Sequence, residues 1–318
     1  MLLALAGDTM LGRGVAELLR TEPATQLFAA EVAEITRGAD LFVLNLECCI
    51  SDRGERFPDP GKPFFFRAPP AAAGALAALG VDCVTLANNH ALDYGPRALL
   101  DTVGHLDEAG IAWVGAGPDV ATARASRTLA GAGARLRVIG VTDHPAAYAA
   151  TSTRPGVAYA DLWREGVPGW LREAARPGPD ADATLVTPHW GPNMHAAPVS
   201  HVRAAAAALV DAGATLVAGH SAHVFHGVAP PVLYDLGDFI DDYRVDDTLR
   251  NDLGLLFLVE IDSEVRSIEA VPLRLDYGHT RIAPTRDAEL IARRFAERCA
   301  AEGTAVQADG HRLIVMWD

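Results

Sequence analysis

Short apolar runs alternate along this chain with Ala-, Leu- and Arg-rich stretches of helical period. Residues 2–7, 41–46, 83–87, 112–115, 136–141, 183–188, 215–218, 232–234 and 255–261 read as strands. Residues 14–19, 70–79, 96–109 and 201–212 read as intervening helices. Gly80, Gly110 and Gly213 fall where a left-handed C-cap favours glycine. Such alternation predicts an α/β fold with helix-covered sheets. A helix near 288–302 and a strand near 313–317 finish the chain. Residues 154–182 break the pattern. They are rich in Pro and Gly, place Trp163 and Trp170 on an expected short helix, and read as a lid-like insertion.

Polar residues recur just beyond the carboxyl ends of these strands. The strands run into Asp8, Asn45-Leu46-Glu47, Asn88-Asn89-His90, His189, His220-Ser221-Ala222-His223 and Asp238. Ligands of α/β sheets collect at that edge. Each residue also has an ordinary reading. Asp8 suits a helix N-cap. Asn88 and Asn89 suit turns. Glu47 and His189 suit solvated loops. The shared edge is what argues for a site. Two carboxylates, an amide oxygen and three imidazoles form a mixed set that suits Mn, Fe or Zn. The set is too large for one tetrahedral ion. It matches two ions sharing a carboxylate, ~3.5–4 Å apart, with a bridging hydroxide as nucleophile. That is a hydrolase arrangement.

Charge and composition exclude other classes. With 27 basic and 41 acidic residues, the net charge of −14 disfavours nucleic acid and anionic membranes. Lys62, the sole lysine, stands in no Gly-Lys-Ser/Thr sequence, which removes a phosphate-binding P-loop. The four cysteines form no C-x-x-C pair and read as reduced and buried. No apolar run has the length of a membrane span, and the first residues lack the features of a secretory signal. The expectation, if residue 1 is the native start, is a cytoplasmic protein.

The segments GDTMLGRG, NLE, FFFRAPP, GVDCVTLANNHALDYG, GIAWVGAG, PHWG, DAGATLVAGHSAHVFHG and VLYDLGDF span most of residues 1–240. In that order they resemble the CapA family, named for a poly-γ-glutamate capsule protein, and through it the calcineurin-like metallophosphoesterases. The resemblance implies two packed mixed sheets flanked by helices, an αββα sandwich, in a single domain over 1–318. It implies two divalent ions (Mn, Fe or Zn) held by Asp8, Glu47, Asn89, His189, His220 and His223. Glu47 takes the bridging place. His90 matches the catalytic histidine, and Asp93 is positioned to orient it or to cap the next helix. Arg13, Arg67 and Asn88 are candidate substrate contacts, with surface ion pairs an equal reading for the two arginines. His226 reads as a bystander or as a residue behind the ligands, since CapA relatives often carry glutamine there.

This chain departs from the calcineurin-like pattern in three places. Met10 stands where Asp-x-His would place a histidine, Glu47 replaces an aspartate, and the His220/His223 pair is one residue wider. CapA relatives often read Gly-Asn-Phe where this chain has Gly237-Asp238-Phe239. Asp238 is therefore either a partner of a ligand histidine or part of a solvated acidic loop. The implied activity is hydrolysis of a phosphoester or γ-glutamyl-type amide in a small anionic substrate. Two other roles stay open. One is a non-catalytic accessory protein in poly-γ-glutamate synthesis, which the −14 charge argues against. The other is a metal-dependent tailoring enzyme acting on small molecules. Oligomeric state is not legible.

Overall fold

The computed structural model describes residues 1–23 and 26–317. Strand Leu2–Thr9 lies inside the larger sheet and shows how the layers are built. Successive side chains of a strand point to opposite faces. Leu3 and Leu5 accordingly enter a core shared with Val43, Leu136, Leu185 and Leu216. Ala4 and Ala6 enter a second core with Phe42, Leu44, Val15 and Leu76. A strand buried on both faces reads as a continuous apolar run, which is why this one was legible.

The larger sheet runs, in spatial order, Ala305–Asp309, Arg312–Met316, Val265–Leu275, Leu253–Ile261, Leu2–Thr9, Leu41–Leu46, Cys83–Thr85 and Ala112–Val114. The last four are mutually parallel and the rest antiparallel. Asp238–Ile240 adds a short parallel pairing at the end of Leu2–Thr9. The smaller sheet runs Val228–Ala229, Val232–Leu233, Leu216–Ala218, Ala183–His189, Ala134–Thr142 and Arg127–Gly131. Its middle four strands are parallel.

The sheets pack face to face through the core of Leu3 and Leu5. Helices Arg13–Thr21, Ala30–Arg37, Ala71–Ala78 and Gly95–Glu108 cover the larger sheet. Gly169–Ala175 and Ser200–Ala212 cover the smaller one, where Leu171 and Leu209 meet Val141, Val186 and Val217. Thr285–Ala301 sends Ile291 and Phe295 between the sheets. The result is an αββα sandwich of mixed sheets. Gly80, Gly110 and Gly213 all take positive φ, as helix ends of this kind require.

Some elements escape an apolar-run criterion. Val265–Leu275 is interrupted by Arg266, Glu269 and Arg274 and contains Pro272, yet it pairs along its length with Leu253–Ile261. Residues 154–182 lie in the connection between the parallel strands Ala134–Thr142 and Ala183–His189. Within them Gly156–Val157 pairs with Ala116–Gly117. Trp170 lies on the helix Gly169–Ala175, but Trp163 does not. Gly166 takes φ +67 and Pro168 caps the helix start, so Trp163 is left in the preceding turn. All four cysteines are buried and unpaired. No helix among the described residues is long and apolar enough to cross a membrane.

Gly7 is required by close approach of backbone to backbone. A Cβ there would lie 1.8 Å from the Gly237 carbonyl oxygen. Gly7→Ala is therefore expected to lower the unfolding free energy by at least roughly 1–3 kcal/mol. Gly74→Ala, on a helix with nothing within 4 Å of the added carbon, should be neutral or stabilising. Urea denaturation of both variants measures the contrast, and equal midpoints would refute it.

Candidate metal centre

The parallel strands of both sheets end at one place. Leu2–Thr9 carries Asp8, and Glu47 follows Leu41–Leu46. Asn88, Asn89 and His90 follow Cys83–Thr85, while Ala183–His189 ends on His189 itself. His220 follows Leu216–Ala218 and bridges to His189 through the backbone. Asp238 is in register with Asp8. The turn after His220 is strained: Ser221 has φ +113 and His223 φ +59. Non-glycine residues in such conformations concentrate at functional sites. Asp235 pins this turn by accepting from the Ala222 N–H at 2.8 Å and the Gly237 N–H at 2.9 Å.

Asp8, Glu47, His223 and Asp238 each offer one ligand atom, all within 4.8 Å of one another, and all four residues are buried. His223 Nδ1 is 2.8 Å from Asp238 Oδ1, 3.4 Å from Asp8 Oδ2 and 4.0 Å from Glu47 Oε2. A second group of atoms adjoins these. His220 Nδ1 is 3.7 Å from Asp8 Oδ1, and His189 Nε2 is 4.0 Å from Glu47 Oε1. Glu47 Oε1, Asn89 Oδ1, His189 Nε2, His220 Nδ1 and Asp238 Oδ2 are buried without a hydrogen-bond partner among the described residues. Orphaned buried polar atoms are rare and unfavourable. His226 Nδ1, Asp241 Oδ2 and Asp242 Oδ1 share that state, but the five above belong to carboxylate, amide and imidazole groups at the strand ends, the types that bind borderline divalent cations. The residues present therefore fit a metal centre, with Glu47 facing both groups of donors.

The electrostatics favour the ligand form at His189 and His220 but not at Glu47, Asp238 or His223. Burial, with Asp8 beside it, raises the Glu47 carboxyl well above the usual carboxylate range. Burial, with Asp241 and Asp8, does the same to Asp238. Burial lowers His220 to about 4 and His189 well below the ordinary imidazole range, which keeps both neutral as ligands must be. For His223 burial also lowers, but the carboxylates of Glu47 and Asp8 outweigh it and leave the group raised.

Beside the cluster, His90 Nδ1 lies 2.6 Å from Asp93 Oδ2, and its ring stacks on Phe66 at 4.0 Å. Asp93 is buried and holds further donors: Tyr148 Oη at 3.1 Å and Lys62 Nζ at 3.0 Å. Lys62 also donates to the Asn89 carbonyl at 2.7 Å, tying the two loops together. Burial lowers His90 to about 4, with Asp93 opposing. A chain of amides links the strand ends. Asn45 Nδ2 donates to Asp8 Oδ1 at 2.7 Å, and Asn88 Nδ2 donates to Asn45 Oδ1 at 2.9 Å and the Leu46 carbonyl at 2.8 Å. Asn88 Oδ1 accepts from the His90 N–H at 3.0 Å.

Residues 2–243 match the family described as bacterial capsule synthesis protein PGA_cap. The chain belongs to the CapA family. A probable polyglutamine synthesis accessory protein of Mycobacterium tuberculosis is 33% identical, over 92% of this chain and 92% of that one. The capsule biosynthesis protein CapA of Bacillus anthracis is 28% identical, over 87% of this chain and 68% of its own. The crystal structure of a hypothetical protein from Thermus thermophilus superposes with a TM-score of 0.50 at 16% identity, covering 86% of this chain and 99% of that one. That last likeness concerns the fold alone.

Within this CapA chain, the candidate contacts divide. Asn88 is fully buried with its amide engaged inside the fold, so it frames the centre rather than facing substrate. Arg13 lies 3.3 Å from Asp242 and stands over the Phe66 and Tyr243 rings, next to the centre. Arg67 turns elsewhere, over Tyr94 at 4.1 Å and onto the Arg53 carbonyl. His226 Nε2 donates to the His195 carbonyl at 2.8 Å, outside the four-residue cluster. Met10, in the place of a histidine, is buried with its sulfur on the Gly12 N–H. Asp238 contacts His223 Nδ1 at 2.8 Å, as a partner of a ligand histidine would, and beyond that reading it brings its own carboxylate into the cluster with Asp8. Tyr243, donating to Glu47 Oε2 at 3.2 Å, and Lys62 gave no such signal. The one available hint was that Lys62 is the sole lysine.

Elemental analysis of the full chain is expected to find up to about two divalent ions per chain, and less metal in His220→Ala and Asp238→Ala. Wild-type protein with no metal after expression in supplemented medium would overturn the assignment. Chelation is expected to lower the melting temperature, because Asp8, Glu47 and Asp238 then face one another without a cation. An unchanged melting temperature in a protein proven to lose metal would count against it.

Proposed function

We propose that this CapA-family protein is a hydrolase of a phosphoester or γ-glutamyl-type amide in an anionic substrate, working with two divalent ions. The observation that carries this reading is the convergence of Asp8, Glu47, His189, His220, His223 and Asp238, several with orphaned donor atoms, beside a buried His90–Asp93 pair. Asp8, Glu47, His223 and Asp238 would hold one ion, and Glu47, Asn89, His189 and His220 the other. Such ions lower the pKa of bound water and polarise the oxygen of the scissile group.

The chain's own groups take the remaining work. Asp93 fixes the His90 ring through Nδ1, which leaves Nε2 to exchange a proton with the substrate. Lys62 and Tyr148 hold Asp93 in place. Tyr243 holds Glu47. Arg13, at the edge of the centre, supplies a guanidinium suited to a phosphate or carboxylate.

The names of the relatives favour a second reading, an accessory role in polyglutamine or capsule synthesis. Turnover of p-nitrophenyl phosphate and of γ-glutamyl p-nitroanilide, with and without Mn(II), separates the two. The hydrolase reading expects metal-dependent turnover of at least one, and His90→Ala should lower kcat by roughly 10²–10⁴-fold while bound metal is retained. Metal-loaded protein that turns over neither compound supports the accessory role.

A further inference from the structure

A cavity of about 680 Å³ opens beside the candidate metal centre. Its lining includes His144, Tyr159, Trp163, Gly191, Asn193 and His201. The size is within the range of small-molecule sites, roughly 300–1,000 Å³. Two contacts tie it to the centre. Asn193 Nδ2 lies 3.3 Å from His223 Nε2, and the His144 ring lies 5.3 Å from that of His189.

The walls are built rather than incidental. Asp143, a largely buried carboxylate, holds three of them at once. Its Oδ1 pairs with His144 Nδ1, and its Oδ2 accepts from the Gly191 N–H at 3.0 Å and pairs with His201 Nε2 at 3.3 Å. The far wall is Trp163, 71% exposed although the residues around it are anchored. Leu162 and Val167 are buried in the core of the smaller sheet. The turn between them is closed by Asp161, whose Oδ1 accepts from the Arg164 N–H and whose carbonyl accepts from the Glu165 N–H, each at 2.9 Å. The Trp163 indole and the His201 imidazole stand 6.1 Å apart and 33° from parallel. The Arg164 guanidinium lies 5.8 Å from the centre of the same indole. A large aromatic surface open to solvent beside a second ring offers a platform on which a further flat group can stack.

We propose that this cavity receives a flat aromatic group on the substrate, carried next to the bond cleaved at the metal centre, with Trp163 as the specificity-determining contact. The inference rests on the reading of the centre given above. It makes the segment 154–182 one wall of the substrate site, and it points to a substrate other than a plain polyglutamate chain.

Calorimetric titration of the Mn(II)-loaded full chain with phenylphosphonate and methylphosphonate tests it without requiring turnover. Phenylphosphonate is expected to bind at least about tenfold tighter. Trp163→Ala should bring the two affinities together by weakening phenylphosphonate alone, and Trp163→Phe should restore most of the preference. Equal affinities in the wild type, or a preference that survives Trp163→Ala, would overturn the pocket and leave the metal centre standing. Binding of neither compound to protein shown to hold Mn(II) would overturn the anion-binding reading of the centre, and the pocket with it.

Discussion

Asp8, Glu47 and Asp238 are buried within a few ångströms of one another, and the strand ends are arranged around that crowding of carboxyl groups. Carboxylates taken out of water need hydrogen bonds or a counter-charge. The chain provides the hydrogen bonds. Asn45 donates to Asp8, Tyr243 to Glu47, and the Ser221 N–H to Asp8. The sharp turn at Ser221 and His223 follows from the need to bring an N–H and an imidazole to the same carboxylates. What those contacts leave unmatched is a set of donor atoms with no protein partner, and that remainder is the chemical signature of the centre.

Much of this was legible because burial and chemistry leave different marks on a sequence. Strands buried on both faces, such as Leu2–Thr9 and Ala183–His189, are uncharged and mostly apolar up to their ends, so an ionisable residue there stands out. Asp8 and His189 were visible for that reason. Asp238 was harder, because its strand is only Asp238–Ile240 and its role depends on register with Asp8, a long-range pairing. Lys62 and Tyr243 sit in irregular segments, where no period marks which side chain points inward. Asn88 shows the reverse limit. Its motif located it correctly, but the motif does not say that both ends of its amide are engaged.

The His90–Asp93 pair illustrates how one residue acts through several others. Asp93 touches His90, Tyr148, Lys62 and the Phe66 N–H, so it orients an imidazole and also fastens the loop bearing FFFRAPP against the one bearing NNHALDYG. Motifs far apart in sequence are in this way parts of one hydrogen-bonded unit. The same economy holds for Asp143, which joins the end of one strand to the first turn of the helix Ser200–Ala212.

The candidate donors come from both layers of the sandwich: Asp8, Glu47 and Asn89 from the larger sheet, His189 and His220 from the smaller. Neither layer holds a complete set. The centre is consequently a product of sheet docking, and it does not exist in any partly folded chain whose layers are still apart. Ion capture would mark the last event of folding rather than nucleate it, and an ion once held would act as a rivet through the interlayer core, slowing its separation more than it speeds its assembly.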